Sequence, residues 1–100
     1  MNVPIALGAM TSSNWRQQFT EKVFPRLIEF KPDIIFCSAG FDAHELDAIH
    51  NQNDTTVTEF DYQWLTENLQ KIANQFAKGR IISCFEGGYN IKLGPISPLA

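Results

Sequence analysis

The chain has 100 residues, which predicts at most one domain and excludes a multidomain enzyme. Its 8 Lys+Arg and 11 Asp+Glu give a formal charge of −3 without a basic cluster, so non-specific nucleic-acid binding is not expected. The apolar share of 44%, with 6 Gly and 5 Pro, is typical of a globular fold and excludes disordered and fibrous classes.

Apolar stretches are short and the cysteines are isolated. Runs such as residues 34–37 fall far short of the roughly 20 residues of a membrane-spanning helix, and residues 1–10 lack the basic start of a signal peptide. Cys37 and Cys84 lie inside apolar runs. We therefore expect buried free thiols in a reducing compartment, the cytoplasm or a eukaryotic nucleus, with a disulfide between neighbouring strands as the alternative.

The first predicted element is an amphipathic helix over about residues 13–30. Its apolar side chains recur at every fourth position: Trp15, Phe19, Val23 and Leu27. Ser13 or Asn14 is expected to cap its start by accepting a backbone hydrogen bond. Pro25 removes a helical donor and crowds the carbonyl four residues earlier, so we expect a kink or a break there.

An apolar run then predicts a parallel strand followed by a long loop. Residues 34–39 are continuously rather than alternately apolar, which is typical of a parallel strand covered on both faces. Residues 40–57 show neither helical nor strand periodicity, and so long an irregular segment indicates a functional loop. The loop carries these acidic and imidazole side chains: Asp42, His44, Glu45, Asp47, His50 and Asp54.

A second helix and a second strand follow the loop. Apolar spacings of three and four predict a helix from about Thr58 to Lys78. Thr58 and Asp61 fit a capping box at its start, and Gly79 fits its end. Residues 81–85 predict a second short buried strand.

The alternation of helices and strands predicts an α/β fold, a partial parallel sheet with flanking helices. Two strands, with residues 3–7 as a candidate third, make a narrow sheet whose apolar edges would face water. The tail after residue 90 is expected to be irregular. These features suggest one portion of a larger domain.

The residues that follow the two strands are the first candidates for chemistry. Ligands of open parallel sheets bind beyond the carboxyl ends of the strands, which would place Asp42 and Tyr89 at one cleft. Asp42 could ligate zinc or a similar cation, and Tyr89 could donate a hydrogen bond to a developing oxyanion. A turn role for Asp42 and a rim position for Tyr89 are the structural alternatives. Gly87 and Gly88 could cradle a phosphate, although no P-loop lysine accompanies them.

The spacing Asp42-x-His44 is that of a chelate. Zinc sites need three or four converging ligands, and the chain has 2 His. This segment is therefore not expected to form a complete zinc site by itself.

Two segments resemble signature sequences of the zinc-dependent histone deacetylase superfamily, which includes acetylpolyamine amidohydrolases and acetoin-utilisation proteins. Residues 32–44, PDIIFCSAGFDAH, resemble its PDLVLVSAGFDAH segment, and residues 85–90, FEGGYN, resemble its LEGGYN segment. Both stand in the family's order and spacing. The resemblance covers nearly the whole chain and favours the branch of class II enzymes and their bacterial relatives.

This resemblance implies an arginase-like α/β fold with one catalytic zinc at the strand ends. By position, Asp42 matches a zinc ligand, and Tyr89 matches the tyrosine that polarises the substrate acetyl carbonyl. Gly87 and Gly88 match glycines that shape the acyl pocket, whereas His44 matches a residue that does not bind the metal. The implied substrate is acetyl-lysine or an acetylated polyamine.

The resemblance also implies that residues 1–100 form the C-terminal portion of a catalytic domain. The family's other zinc ligands and its two adjacent histidines would lie upstream, and residues 47–50 depart from the family's usual DPLG. Such a chain would supply one zinc ligand and be inactive alone. The alternatives are a non-catalytic α/β module for self-association or partner binding and a phosphate- or nucleotide-binding domain. Neither a membrane nor a direct nucleic-acid partner is expected.

Overall fold

The computed structural model describes residues 1–6, 8–47 and 55–89. Its elements in chain order are α1 (Ser12–Gln18), a π turn (Phe19–Val23), α2 (Phe24–Phe30), β1 (Ile35–Ala39), α3 (Glu59–Phe76) and β2 (Ile81–Phe85). This mixture of helices with a small parallel sheet agrees with the predicted α/β class. Within these ranges no helix has the length and apolar character needed to cross a membrane.

Several predictions concern the chain's ends and the middle of its long loop. Residues 3–6 are not in a strand, so the candidate third strand is wrong for the described part of residues 3–7. The predicted irregular tail lies outside the described residues. The loop side chains His50 and Asp54 lie outside them as well.

The first helix begins at Ser12, and its cap is Thr11 instead of the predicted Ser13 or Asn14. The Thr11 hydroxyl oxygen accepts a hydrogen bond from the Asn14 backbone N–H at 3.2 Å. Thr11 has the extended backbone of an N-cap residue, with φ −93° and ψ 154°. Asn14 instead donates its side-chain amide to the carbonyl of Ala9 at 2.8 Å, which fixes the chain entering the helix.

Pro25 disturbs the helix in the turn that precedes it. The π turn Phe19–Val23 leads directly into α2, where Pro25 occupies the first turn. Proline lacks an N–H and its ring crowds the carbonyl four residues earlier, so a wider turn with shifted hydrogen bonds relieves both conflicts. The disturbance predicted at Pro25 therefore takes the form of a π turn, and helical hydrogen bonding resumes after it.

The two strands pair in parallel, with Ile35 opposite Ile81 and Ala39 opposite Phe85. The predicted parallel pairing is confirmed. Ile35 is buried against the helices, whereas Phe36 and Ile82 are 65% and 45% exposed. The expectation that both faces are covered is wrong for the described part of the chain, because α2 and α3 pack on the Ile35 side.

Helix α3 agrees closely with the prediction. Thr58 is its N-cap, and the Asp61 carboxylate accepts the Thr58 N–H at 2.8 Å, which completes the capping box. At the other end Gly79 takes φ +75° and donates its N–H to the Ala73 carbonyl at 3.0 Å. Glycine adopts this left-handed conformation without steric cost, which explains why the helix ends there.

Buried apolar residues form two clusters. One, here called the helix cluster, joins α2, β1 and α3 through Phe24, Ile35, Ile72, Ala73 and Ala77. The other, here called the aromatic cluster, lies beneath the loop after β1 and contains Trp15, Phe41, Val57 and Tyr62. The Tyr62 ring meets Trp15 and Phe41 edge-on, with centroids 5.4 and 5.0 Å away. Such pairs add about 0.5–1.5 kcal/mol beyond area burial.

Cys37 and Cys84 are free thiols, as predicted, and no disulfide joins them. Cys37 is half-buried, and burial, followed by the neighbouring Cys84, raises the pKa of its thiol. Cys84 is exposed, so its predicted burial is wrong. The register explains the difference: Cys84 is opposite Ser38, so its side chain belongs to the uncovered face and that of Cys37 to the other face.

Candidate functional site

The segments that follow the two strands continue side by side beyond the sheet. The Glu86 N–H donates to the Ala39 carbonyl at 3.0 Å, and the Phe41 N–H donates to the Gly87 carbonyl at 2.7 Å. Both segments therefore leave the sheet at the same edge, as expected of the carboxyl ends of parallel strands.

Asp42 and Tyr89 meet at Gly87. A methyl group placed on Gly87 would lie 2.9 Å from an Asp42 carboxylate oxygen and 3.3 Å from Cε2 of the Tyr89 ring. The same carboxylate oxygen would lie 3.0 Å from a methyl group on Gly40. The two glycines therefore leave the space that the carboxylate occupies, and the structure brings together the two side chains that the sequence placed at one cleft.

Gly88 is a further position in this segment where the backbone favours glycine. Its φ of +145° lies in a region that residues with side chains rarely adopt, and it turns the chain between Gly87 and Tyr89. Tyr89 is 55% exposed, so its ring is accessible from solvent. The roles predicted for Gly87 and Gly88, as acyl-pocket or phosphate-cradle residues, remain predictions.

His44 is fully buried and uses both ring nitrogens. Its Nε2 lies 2.8 Å from Oε2 of Glu59, and its Nδ1 accepts the Leu46 N–H at 3.1 Å. The Nε2 proton therefore points to Glu59, and the Nδ1 lone pair is occupied. This hydrogen bond lowers the pKa of the Glu59 carboxyl. The Asp42-x-His44 chelate is not formed, because His44 has no nitrogen to offer a metal in this conformation.

Asp47 is a buried carboxylate that contacts the Tyr89 segment directly. Its Oδ2 accepts the Tyr89 backbone N–H at 2.6 Å, and the side chain has no exposed surface. The sequence marked Asp47 only as one of several loop acids. The partner lies 42 positions away, and no local pattern signals so distant a contact.

A second buried carboxylate, Asp61, ties the first helix to α3. One oxygen accepts hydrogen bonds from the Ser12 hydroxyl and from Nε of Arg16, both at 2.6 Å. Burial alone would raise the pKa of Asp61, but the hydrogen bonds from Ser12, Thr58 and Arg16 outweigh it, and the pKa is lowered. The guanidinium of Arg16 also lies over the Trp64 ring, 5.1 Å from its centroid.

Tyr62 lies beneath the site, in the aromatic cluster. Burial, followed by the charges of Asp42 and Asp47, raises the pKa of its phenol well above the usual range. Tyr62 therefore stays neutral at any physiological pH. It forms part of the floor under the loop, whereas Tyr89 lies at the surface.

The described ranges contain no group of three His, Cys, Asp or Glu side chains that could hold a metal ion. Asp42 offers one carboxylate, and a zinc site needs three or four converging ligands. The residues that the structure describes therefore do not make a zinc site by themselves.

A family model for the histone deacetylase domain matches residues 1–96, which include both Asp42 and Tyr89. The chain belongs to the histone deacetylase family. It is 43% identical over 81 residues to Type-2 histone deacetylase 2 of Dictyostelium discoideum, covering 81% of this chain and 5% of that protein. It is 38% identical over 92 residues to Histone deacetylase 14, chloroplastic, of Arabidopsis thaliana, covering 92% and 21%. Histone deacetylase 6 of Caenorhabditis elegans is 33% identical over 91 residues, covering 91% and 9%.

The predicted membership of the histone deacetylase family is confirmed by these matches. The chain spans at most 21% of the length of the relatives named here. The family match therefore concerns a segment that carries the paired strand ends, Asp42 and Tyr89.

Proposed function

We propose that this chain supplies part of the active site of a zinc-dependent deacetylase that hydrolyses the acetamide of acetyl-lysine or of an acetylated polyamine. The observation that carries the proposal is the meeting of the Asp42 carboxylate and the Tyr89 ring at Gly87, beyond the carboxyl ends of two parallel strands. Membership of the histone deacetylase family supports the reaction class.

Each site residue has a distinct role in this proposal. Asp42 is one anionic oxygen ligand of zinc, which when bound supplies a Lewis acid for the acetyl carbonyl. Tyr89 donates its hydroxyl hydrogen bond to the oxyanion that develops on that carbonyl. Its exposed position allows a substrate to reach it. Gly87, whose missing side chain leaves the space that the Asp42 carboxylate occupies, and Gly88 shape the acyl pocket beside Tyr89.

The remaining ligands and a general base have to come from residues other than those described. Asp42 alone does not bind zinc tightly, so the chain by itself is expected to show no acetamide turnover. Loss of a general base alone typically lowers a rate about 10²- to 10⁴-fold. In an arginase-like domain, further strands and helices would cover the sheet edges and the face that bears Phe36 and Ile82.

A non-catalytic module for self-association is the second candidate. The observation that favours it is the exposed apolar face of the sheet, where Phe36 and Ile82 are 65% and 45% exposed. Two copies could bury these side chains against each other. The phosphate-binding alternative has no comparable support, because one glycine pair without a P-loop lysine is a weak signal.

The test is a chimera in which residues 1–96 replace the aligned segment of the Arabidopsis relative, assayed on an acetyl-lysine peptide. We expect turnover, and we expect Tyr89→Phe to lower kcat by about 10²- to 10³-fold, as for loss of an oxyanion donor. Tyr62→Phe is the matched control, since it removes the same oxygen from the other tyrosine and should leave kcat within a few-fold.

Two results would count against the deacetylase. One is a folded, zinc-loaded chimera without turnover, and the other is full activity of the Tyr89→Phe variant. A dimer of the isolated chain in sedimentation experiments, dissociated by Phe36→Asp, would favour the self-association module instead. Asp42→Asn in the active chimera should lower zinc content, which tests its proposed role as a ligand.

A further inference from the structure

We propose that Asp47 is a positioning residue that fixes Tyr89 against the loop that carries Asp42. Its importance for catalysis rests on the proposed function, whereas the attachment itself does not.

The attachment is a short, partly buried hydrogen bond. The Asp47 carboxylate accepts the Tyr89 N–H at 2.6 Å and has no exposed surface. Hydrogen bonds in which one partner is ionised are shorter and roughly twice as strong as those between neutral groups. A buried carboxylate is costly unless its oxygens are satisfied. The hydrogen bond is therefore strong, and its loss would leave this Asp47 oxygen without the Tyr89 N–H.

The hydrogen bond directly follows a glycine, where the backbone can adopt many conformations. The Phe41 N–H holds the Gly87 carbonyl at 2.7 Å, and the next residue, Gly88, has φ +145° and no side chain. Glycine permits many backbone conformations, so the pairing beyond the strands does not by itself set the direction of Tyr89. The Asp47 bond supplies a second attachment on the other side of Gly88.

Asp47 is itself held firmly. Its N–H donates to the His44 carbonyl at 2.9 Å, and the neighbouring Glu45 N–H donates to the Val57 carbonyl at 2.7 Å. The His44 ring joins the same turn to Glu59 at the start of α3. The turn is thus fastened to the helix, and the carboxylate it presents to Tyr89 has a fixed location.

The same segment, residues 41–47 at the start of the loop, therefore carries the proposed zinc ligand and the group that locates the tyrosine. Asp42 and Asp47 lie on two consecutive turns that meet at His44, and the Glu45 N–H in the second turn donates to the Val57 carbonyl. The relative placement of the Asp42 carboxylate and the Tyr89 ring is thus set by hydrogen bonds of one short stretch of chain, as a preorganised site requires.

The test uses the two tyrosines of the chain. In protein labelled with ¹⁵N-tyrosine, the two amide signals report on Tyr89 and on Tyr62 within α3. We expect Asp47→Ala to shift the Tyr89 amide upfield and to speed its hydrogen exchange by at least about 10-fold, with Tyr62 unchanged. Asp47→Asn, which keeps an acceptor oxygen and the volume, should have an intermediate effect, and Asp33→Ala at an exposed site should have none.

An unchanged Tyr89 amide in Asp47→Ala, with Tyr62 also unchanged, would overturn the attachment. If Asp47→Ala unfolds the chain, both amides lose protection, and the Asp47→Asn variant then decides between the two outcomes. Its Tyr89 amide must exchange faster than in the parent chain while Tyr62 keeps its protection. Equal exchange at Tyr89 in the parent chain and in Asp47→Asn would count against the proposal.

The active chimera tests the catalytic consequence separately. Asp47→Asn should lower kcat with little change in KM, and it should have no further effect on kcat in the Tyr89→Phe background, because its influence passes through the tyrosine. An equal loss in both backgrounds would show a general structural effect and overturn the positioning role. An inactive chimera together with the expected amide changes would contradict the proposed function and leave the attachment supported.

Discussion

The helix cluster and the aromatic cluster differ in the number of buried polar side chains that lie near them. The difference indicates which region tolerates small shifts and which region has a closely defined geometry. The helix cluster consists of apolar side chains, whereas the buried polar residues of the described ranges lie near the aromatic cluster: His44, Asp47, Thr55 and Asp61. Apolar burial is non-directional and tolerates small shifts. Buried carboxylates need partners at fixed places, so the region around the aromatic cluster has a more closely defined geometry.

The largest effect is expected in the helix cluster. Ile72→Ala should lower the free energy of unfolding by about 2–5 kcal/mol, because it removes buried methylene groups and leaves a cavity. Urea denaturation followed by circular dichroism measures it. Ile82→Ala is the matched control on the uncovered sheet face and should cost far less. Equal costs at the two positions would show that the uncovered face is buried in solution.

Asp61→Asn tests the region around the aromatic cluster and should lower the free energy of unfolding by about 2–3 kcal/mol at pH 7. Removing one partner from a buried charge pair costs more than this, but the Arg16 side chain is 37% exposed and solvent screens it. The hydrogen bonds that lower the pKa of Asp61 stabilise the fold above the unfolded carboxyl pKa of about 3.9. That contribution is lost as the pH falls through the lower pKa of the folded state.

The difference in stability between the parent chain and Asp61→Asn should therefore be largest near neutral pH and shrink below about pH 4. Denaturation curves at pH 7 and pH 3 measure this change. Asp33→Asn, at an exposed position, should show no comparable pH dependence. The same difference at both pH values would mean that the charge of Asp61 contributes nothing to the stability of the fold.

The smallest of these effects is expected at the end of α3. Gly79→Ala should lower the free energy of unfolding by about 1–2 kcal/mol, because φ is +75° there and a methyl group would lie 3.1 Å from Oδ1 of Asn74. Gly8→Ala is the control, with φ +80° and nothing within 4 Å of the added carbon. A larger cost at Gly79 than at Gly8 would measure the steric part, and Gly79→Asn should be milder than Gly79→Ala.

Local chemistry explains which features were predictable. Helix α3 follows from its apolar spacing, from the Thr58 and Asp61 capping box, and from Gly79. The parallel strands follow from two continuous apolar runs separated by a helix. Because parallel strands end at one edge, the closeness of Asp42 and Tyr89 also follows from the order of the elements.

Long-range pairings explain what the sequence did not reveal. Arg16 and Asp61 lie 45 positions apart, and the Asp47 partner lies 42 positions away, so neither contact leaves a local pattern. The Thr11 cap was missed because Ser13 and Asn14 have equally suitable side chains and only the backbone conformation distinguishes them. The exposure of Cys84 depends on which sheet face the helices cover, and apolar content alone does not specify that.

The π turn changes how the first helix should be compared with other sequences. It brings Phe19 and Phe24, five positions apart, to ring centroids 6.0 Å apart, although side chains five apart on an α-helix of 3.6 residues per turn point in directions about 140° apart. The pattern of apolar residues before residue 19 is thus shifted by one position relative to the pattern after residue 23. A relative without proline at position 25 should align best with a single-residue gap between those two points.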